Sequence, residues 1–194
     1  KSHEVSDHFL HLLTDIGNNY HRDDLLFQKL FQIIKYYEDQ IKQTFSNLEI
    51  FNIFQSNKKI LLFLFKNQII TVDHDIYIEL MLKYEENGYR YCHFFYPEIK
   101  NFIGEEKVKE IEEELNSKDQ NIFDNFDKKR EIGENESYIC DLIRKDSIKE
   151  FIVYINKSNI SLTTQINPSL FETNPFLIGK NPTLIEYAFF YGSI

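Results

Sequence analysis

Little in this chain of 194 residues favours a sheet. Six Gly and four Pro are too few to punctuate many hairpins and bulges, because each tight turn usually takes one of them. Tryptophan is absent, there is one Met, and Ala188 is the lone alanine. The two cysteines, Cys92 and Cys140, lie far apart in no metal-like spacing, which argues against a disulfide framework and suits a reducing compartment. The longest apolar run, Ile60 to Phe65, falls well short of the ~18 residues that a membrane span needs. Positive charge is scarce as well: 22 Lys and Arg stand against 31 Asp and Glu, for a net charge of -9 and a pI near 5.2. A chain of that sign repels a phosphate backbone. The expectation is an intracellular protein, cytoplasmic or cytoskeletal, with no nucleic-acid partner and no membrane insertion. Three glycosylation-type patterns, at Asn135, Asn156 and Asn159, read as chance in an Asn-rich chain.

What is present is helical periodicity. Phe9, Leu12, Leu13 and Ile16 form one face of a first helix, with Gly17 and Asn18 as its stop. Behind the acidic pair Asp23 and Asp24, the residues Leu25, Leu26, Leu30, Ile33, Ile34, Tyr37 and Ile41 predict one long helix. Three capping boxes, in which a hydroxyl takes one orphan amide and a Glu three residues on takes another, open further helices at Ser46, Ser147 and Thr183. Helices are placed at 46–55 and 58–67, the second apolar nearly all round, although a buried strand is a competing assignment for so short a run. Asp73 or Asp75 caps the next helix, which ends at Asn87 and Gly88. Tyr89 to Tyr96 is aromatic and fits either class; Pro97 suits a first turn, and Glu105 to Leu115 is a solvated helix. Helices at 136–145, with Ile139, Leu142 and Ile143 inward, and from Ser147, with Phe151, Ile152 and Ile155 inward, make a hairpin around Asp146.

Catalytic and metal-binding patterns are thin. A phosphate loop at Gly179-Lys180 fails because position 174 is Asn. His8 and His11 lie one turn apart with Glu4 nearby, but the pair lacks a convincing third ligand and reads as a solvated helix face. Asp73-His74-Asp75 reads as capping, and Cys92-His93 as buried packing, because neighbours in sequence do not face each other. Lys128-Lys129-Arg130, flanked by Asp124, Asp127 and Glu131, reads as a solvated charged helix. No cofactor, metal or catalytic residue is expected.

The closing segment Thr183-Leu184-Ile185-Glu186-Tyr187-Ala188-Phe189-Phe190-Tyr191-Gly192 resembles the first helix of an ankyrin repeat, with Thr183 at the capping Thr, Ile185 at the Leu, Ala188 at the first Ala and Gly192 at the turn Gly. Leu184, Glu186, Phe189 and Ser193 depart from that pattern. The same ruler puts Ser137 at the Thr, Leu142 at the Ala and Asp146 at the Gly, and it fits Ser46 to Asn67 more loosely. With Ser46-Asn47-Leu48-Glu49, Lys59-Ile60-Leu61-Leu62, Tyr96-Pro97-Glu98-Ile99 and Ile132-Gly133-Glu134-Asn135, the chain resembles a family of protist ankyrin-repeat proteins in which a helical region precedes the repeats. The resemblance implies a protein-binding scaffold and supplies no catalytic residues.

The reading is therefore all-α: stacked antiparallel helix pairs, α-solenoid-like, leading into degenerate ankyrin repeats. Residues 1–115 form an N-terminal helical region, 116–133 a linker, and 134–194 degenerate ankyrin-type pairs. A start at Lys1 without Met and an end inside a helical pattern read as a fragment of a larger protein. The expected function is a non-catalytic scaffold or adaptor for a protein partner; the alternative is a structural component of a cytoskeletal or filament assembly. From Ser137 to Thr183 is 46 positions against about 33 for one ankyrin unit, so about 13 residues bulge from the loop between Ser158 and Asn181. Within it Leu170, Phe171, Phe176 and Leu177 either tuck back as a lid over the core or present a partner anchor, with Phe171 or Phe176 outward.

Overall fold

The computed structural model describes residues 6–83 and 89–193, and the elements they form are helices. The first, α1 (Asp7–Asn19), starts where the Ser6 hydroxyl accepts from the Phe9 amide. It buries Leu10, Leu13, Thr14 and Gly17 and leaves Leu12 exposed, so its inner face is turned from the one the periodicity suggested. Gly17 does not stop the helix. It lets the backbone approach Ile60 and Asn57 closely: a Cβ there would lie 2.9 Å from Ile60 Cδ1.

The expected long helix is two, α2 (Asp24–Tyr36) and α3 (Glu38–Thr44). Tyr37 leaves helical geometry at φ -96° and ψ 8°, and its ring packs edge-on against Phe9 and Tyr36. Position 27, which the periodic reading passed over, supplies a buried Phe, with Leu30 and Ile34 beside it. The Ser46 capping box is formed and opens α4 (Asn47–Phe54); Asn57 caps α5 (Lys58–Lys66). The apolar run at 60–65 is thus helical, and α5 buries Ile60, Leu61, Leu62, Leu64 and Phe65. Asp73, rather than Asp75, caps α6 (His74–Leu82), and the end expected at Asn87 and Gly88 lies outside the described residues. Two short helices, α7 (Tyr91–Phe94) and α8 (Tyr96–Ile99), settle the aromatic stretch, and α9 (Glu105–Lys118) follows.

Residues 116–133, read from the sequence as a linker, are partly helical and partly buried. They contain the end of α9 and α10 (Phe126–Ile132), and they bury Ile122, Phe126 and Arg130. The aromatic and aliphatic residues among the acids make the difference: once Ile122 and Phe126 enter the core, the turn between them and the start of α10 are fixed. Arg130, expected on a solvated face, is 1% exposed and forks onto Glu98 while donating to the Phe94 carbonyl. Lys128 is exposed, and the Lys129 ammonium lies over the Phe171 ring.

The chain closes with α11 (Tyr138–Arg144), α12 (Ile148–Ser158) and α13 (Leu184–Tyr191). α11 and α12 form a tight hairpin, and α13 packs on α11. The Ser147 capping box does not form, because the left-handed turn at Asp146 sends the Ser147 amide to the Leu142 carbonyl instead of to Glu150. The Thr183 box does form. Between α12 and α13 the long loop returns on itself, with Ile166 donating to the Pro182 carbonyl and Leu184 to that of Thr164. The fold is all-α. One large apolar cluster spans α1 to α10, and a smaller one joins Cys140, Ile143, Ile166, Leu177, Leu184 and Tyr187. No helix among the described residues is long and apolar enough to cross a membrane.

Candidate functional site

The loop residues singled out in the sequence divide sharply. Leu170 and Phe171 are buried in the large cluster, Phe171 edge-on to Phe126 at 5.3 Å, and Leu177 is buried in the small one. These three act as the lid. They are not available as partner anchors. Phe176 is 55% exposed and lies on the wall of a cavity of about 660 Å³ between the α1–α2 turn and the loop.

That cavity is also lined by Tyr20, His21, Arg22, Asn174 and Phe190. Arg22 donates to the carbonyls of Phe190 and Tyr191, two of the orphan acceptors at the C-terminal end of α13, and so ties that helix to the α1–α2 turn. Thr173 donates its hydroxyl proton to the Gly133 carbonyl and therefore accepts from His21, which puts the imidazole proton on Nε2. His21 Nδ1 is then a bare acceptor, buried and without a partner. Burial, reinforced by the charge of Lys59, holds its pKa down at about 3 against the pull of Asp24, so the ring is neutral at physiological pH. Asn174 is only 1% exposed. Its Oδ1 accepts from the Phe176 amide, which fixes the orientation of the carboxamide, and its Nδ2 is left as a buried donor without a partner. Each such group costs about 1–3 kcal/mol in a folded chain.

Beneath the cavity the loop is held by a polar hub. Glu172 accepts from the backbone amides of Asn174 and Asn135, and burial pushes its carboxyl up to about 7. Lys58, fully buried, donates to the Leu170 carbonyl and lies over the Phe94 ring.

A second surface lies on α12. This helix buries none of its residues completely, although Ile148, Phe151, Ile152, Val153 and Ile155 are all apolar. Phe151 and Ile155 are half-buried against the rest of the unit, whereas Ile152, expected inward, is 48% exposed and Val153 66%. An apolar groove of about 200 Å³ runs beside it, floored by Leu142 and Ile143 and walled by Ile148, Phe151, Ile152 and Ala188. Ile185 and Phe189 on α13 are exposed as well. The signal for this surface was in the sequence: five apolar residues in α12 cover more of its circumference than one neighbouring helix can bury.

The remaining candidates resolve into structure. His8 and His11 are exposed on α1, with His11 near Asp7, and Glu4 lies outside the described residues. Among the described residues no group of three His, Cys, Asp or Glu could hold a metal ion. Cys92 and His93 are buried; His93 Nδ1 accepts from the Arg90 amide and its Nε2 proton goes to Glu114. Burial pushes the Cys92 thiol up to about 11, and Cys140 is raised by the same cause. Of the glycosylation patterns, Asn135 is buried and bonded to the Asn167 carbonyl. His21, Tyr20 and Asn174 carried no sequence signal, since nothing in the chain reveals that a turn near residue 20 meets a loop near 174. Comparison with family models, curated proteins and solved structures finds no match for this chain.

Proposed function

We propose that the chain is a non-catalytic scaffold that binds another protein through α12 and the groove beside it. The observation that carries the reading is α12 itself. An eleven-residue helix is marginal in water without tertiary packing, yet this one leaves Ile148, Ile152 and Val153 in contact with solvent. Ile148 and Ile152 wall the apolar groove, Val153 lines a second cleft with Tyr138 and Tyr154, and exposed apolar surface beside a groove marks interaction sites. The ankyrin-type reading of residues 134–194 belongs with the proposal and is supported by matching turns: Asp146 and Gly192 are both left-handed, and Ser147 and Ser193 donate to Leu142 and Ala188 in the same pattern. The non-catalytic reading is supported by the state of the thiols, raised by burial away from the range of a nucleophile, and by His93, whose two ring nitrogens are both occupied.

Photo-crosslinking from α12 tests the proposal. A benzophenone side chain at Val153 is expected to form an adduct with one protein identifiable by mass spectrometry, and the same probe at the exposed Glu113 of α9 is not. Equal labelling from both positions contradicts it.

A further inference from the structure

Besides its apolar groove, α12 carries a stripe of uncompensated positive charge. Lys149, Val153 and Lys157 are exposed and follow one another at four-residue steps, so they run along one side of the helix at intervals of about 6 Å. They border a cleft of about 400 Å³ together with Glu150, Tyr154 and Tyr138 of α11, the two tyrosine rings edge-on with centroids 5.2 Å apart. In a chain of net charge -9 a lysine has acids to pair with, and Lys42, Lys59 and Lys145 each do so. Lys149 and Lys157 make no ion pair among the described residues, and the Tyr138 and Tyr154 hydroxyls have no hydrogen-bond partner there. The cleft thus offers two cations with an apolar residue between them, beside two phenol donors. An extended peptide matches that spacing, because side chains i, i+2 and i+4 of a strand share one face at steps of about 6.7 Å. A polyphosphate chain does not: Glu150 sits in the cleft, and the net charge of the chain opposes a backbone of closely spaced phosphates.

We propose that the partner presents an acidic, extended segment to this cleft, in the pattern acid-x-apolar-x-acid, with one carboxylate on Lys149, the other on Lys157 and the apolar side chain between them on Val153. The proposal rests on the reading of α12 as a binding surface and adds the chemistry of what binds there. The rings of Tyr138 and Tyr154 widen the apolar contact, and their hydroxyls donate to the segment's carbonyls or carboxylates.

The test uses the whole chain and a displayed library of random linear peptides. The enriched peptides are expected to share two acids four residues apart with an apolar residue midway. Joint replacement Lys149→Gln and Lys157→Gln, both at exposed positions, is expected to weaken the best peptide about tenfold without moving the urea midpoint of unfolding. Raising the salt from about 50 to about 300 mM should weaken it by a similar factor, since exposed ion pairs are screened. Enriched peptides that lack the acids, yet lose affinity with Val153→Gln, would overturn this proposal and leave α12 as the binding surface. Peptides indifferent to Val153→Gln and to the lysine replacements alike would overturn both readings. An empty selection, or a single-stranded oligothymidylate that displaces the labelled peptide at lower concentration than the unlabelled peptide does, would also overturn the acidic-segment assignment.

Discussion

A methyl group added at Gly133 has nowhere to go. The residue has φ 71°, a conformation that side chains resist, and its Cβ would lie 2.5 Å from Thr173 Oγ1. Its carbonyl also takes both the amide and the hydroxyl proton of Thr173. Gly133→Ala is expected to cost about 2–4 kcal/mol in a urea titration, whereas Gly192→Ala, with a similar φ but open space around it, should cost about 1 kcal/mol. Charge at this junction makes a second prediction. His21, depressed from 6.5 to about 3, stays unprotonated in the folded chain while the unfolded chain takes a proton, so its contribution is full above pH 6.5 and is lost as pH falls. Glu172, raised from 4.5 to about 7, does the reverse: its contribution is full below pH 4.5 and is lost as pH rises through 7. Between pH 4.5 and 6.5 the two slopes oppose each other. Glu172→Gln removes one, so the variant should lose stability on acidification relative to the parent by about 1.4 kcal/mol per pH unit over that window. Parallel curves for the two proteins would contradict the assignment. None of this was legible in the sequence, where Glu172 and Gly133 are an ordinary acid and an ordinary turn residue.

At the scale of helices the sequence was more informative, and its errors have physical causes. The Ser46 and Thr183 capping boxes and the Asp73 cap formed because the residue before each helix is extended, leaving its amide free for the carboxylate or its side chain free for the first turn. Ser147 carries the same letters but follows a left-handed residue, which commits its amide to the preceding helix. Gly17 reads as a stop because glycine often ends helices, yet here it is the contact point of α1 with Ile60 and Asn57. Which face of α12 is covered was the least legible feature, since its apolar residues occupy more than one face. Because α12 buries nothing completely, its amides are expected to exchange with deuterium faster than those of α11, which buries Cys140, Leu142 and Ile143. Equal protection would mean that α12 is packed more tightly than its exposed isoleucines imply.

For the molecule as a whole, all-helical architecture could be read from the scarcity of Gly and Pro and from the periodicity. The way residues 116–133 enter the large apolar cluster and the 170–177 loop contributes to both clusters could not, because it depends on contacts between segments far apart in the chain. Phe171 belongs to the large cluster and Leu177 to the small one, with Lys58 holding the Leu170 carbonyl between them. Phe171→Ala is therefore expected to cost about 3–5 kcal/mol of unfolding free energy, and Phe176→Ala close to none.

The scaffold reading rests on the exposed face of α12, and one paired measurement addresses it. Ile152→Gln and Val153→Gln replace exposed apolar side chains with a good helix former, so the urea midpoint of unfolding should stay within experimental error of the parent. Titration calorimetry against the protein crosslinked from Val153 should show affinity reduced at least tenfold in both variants. Undiminished affinity, or a loss of affinity matched by a loss of folding stability, would contradict the account.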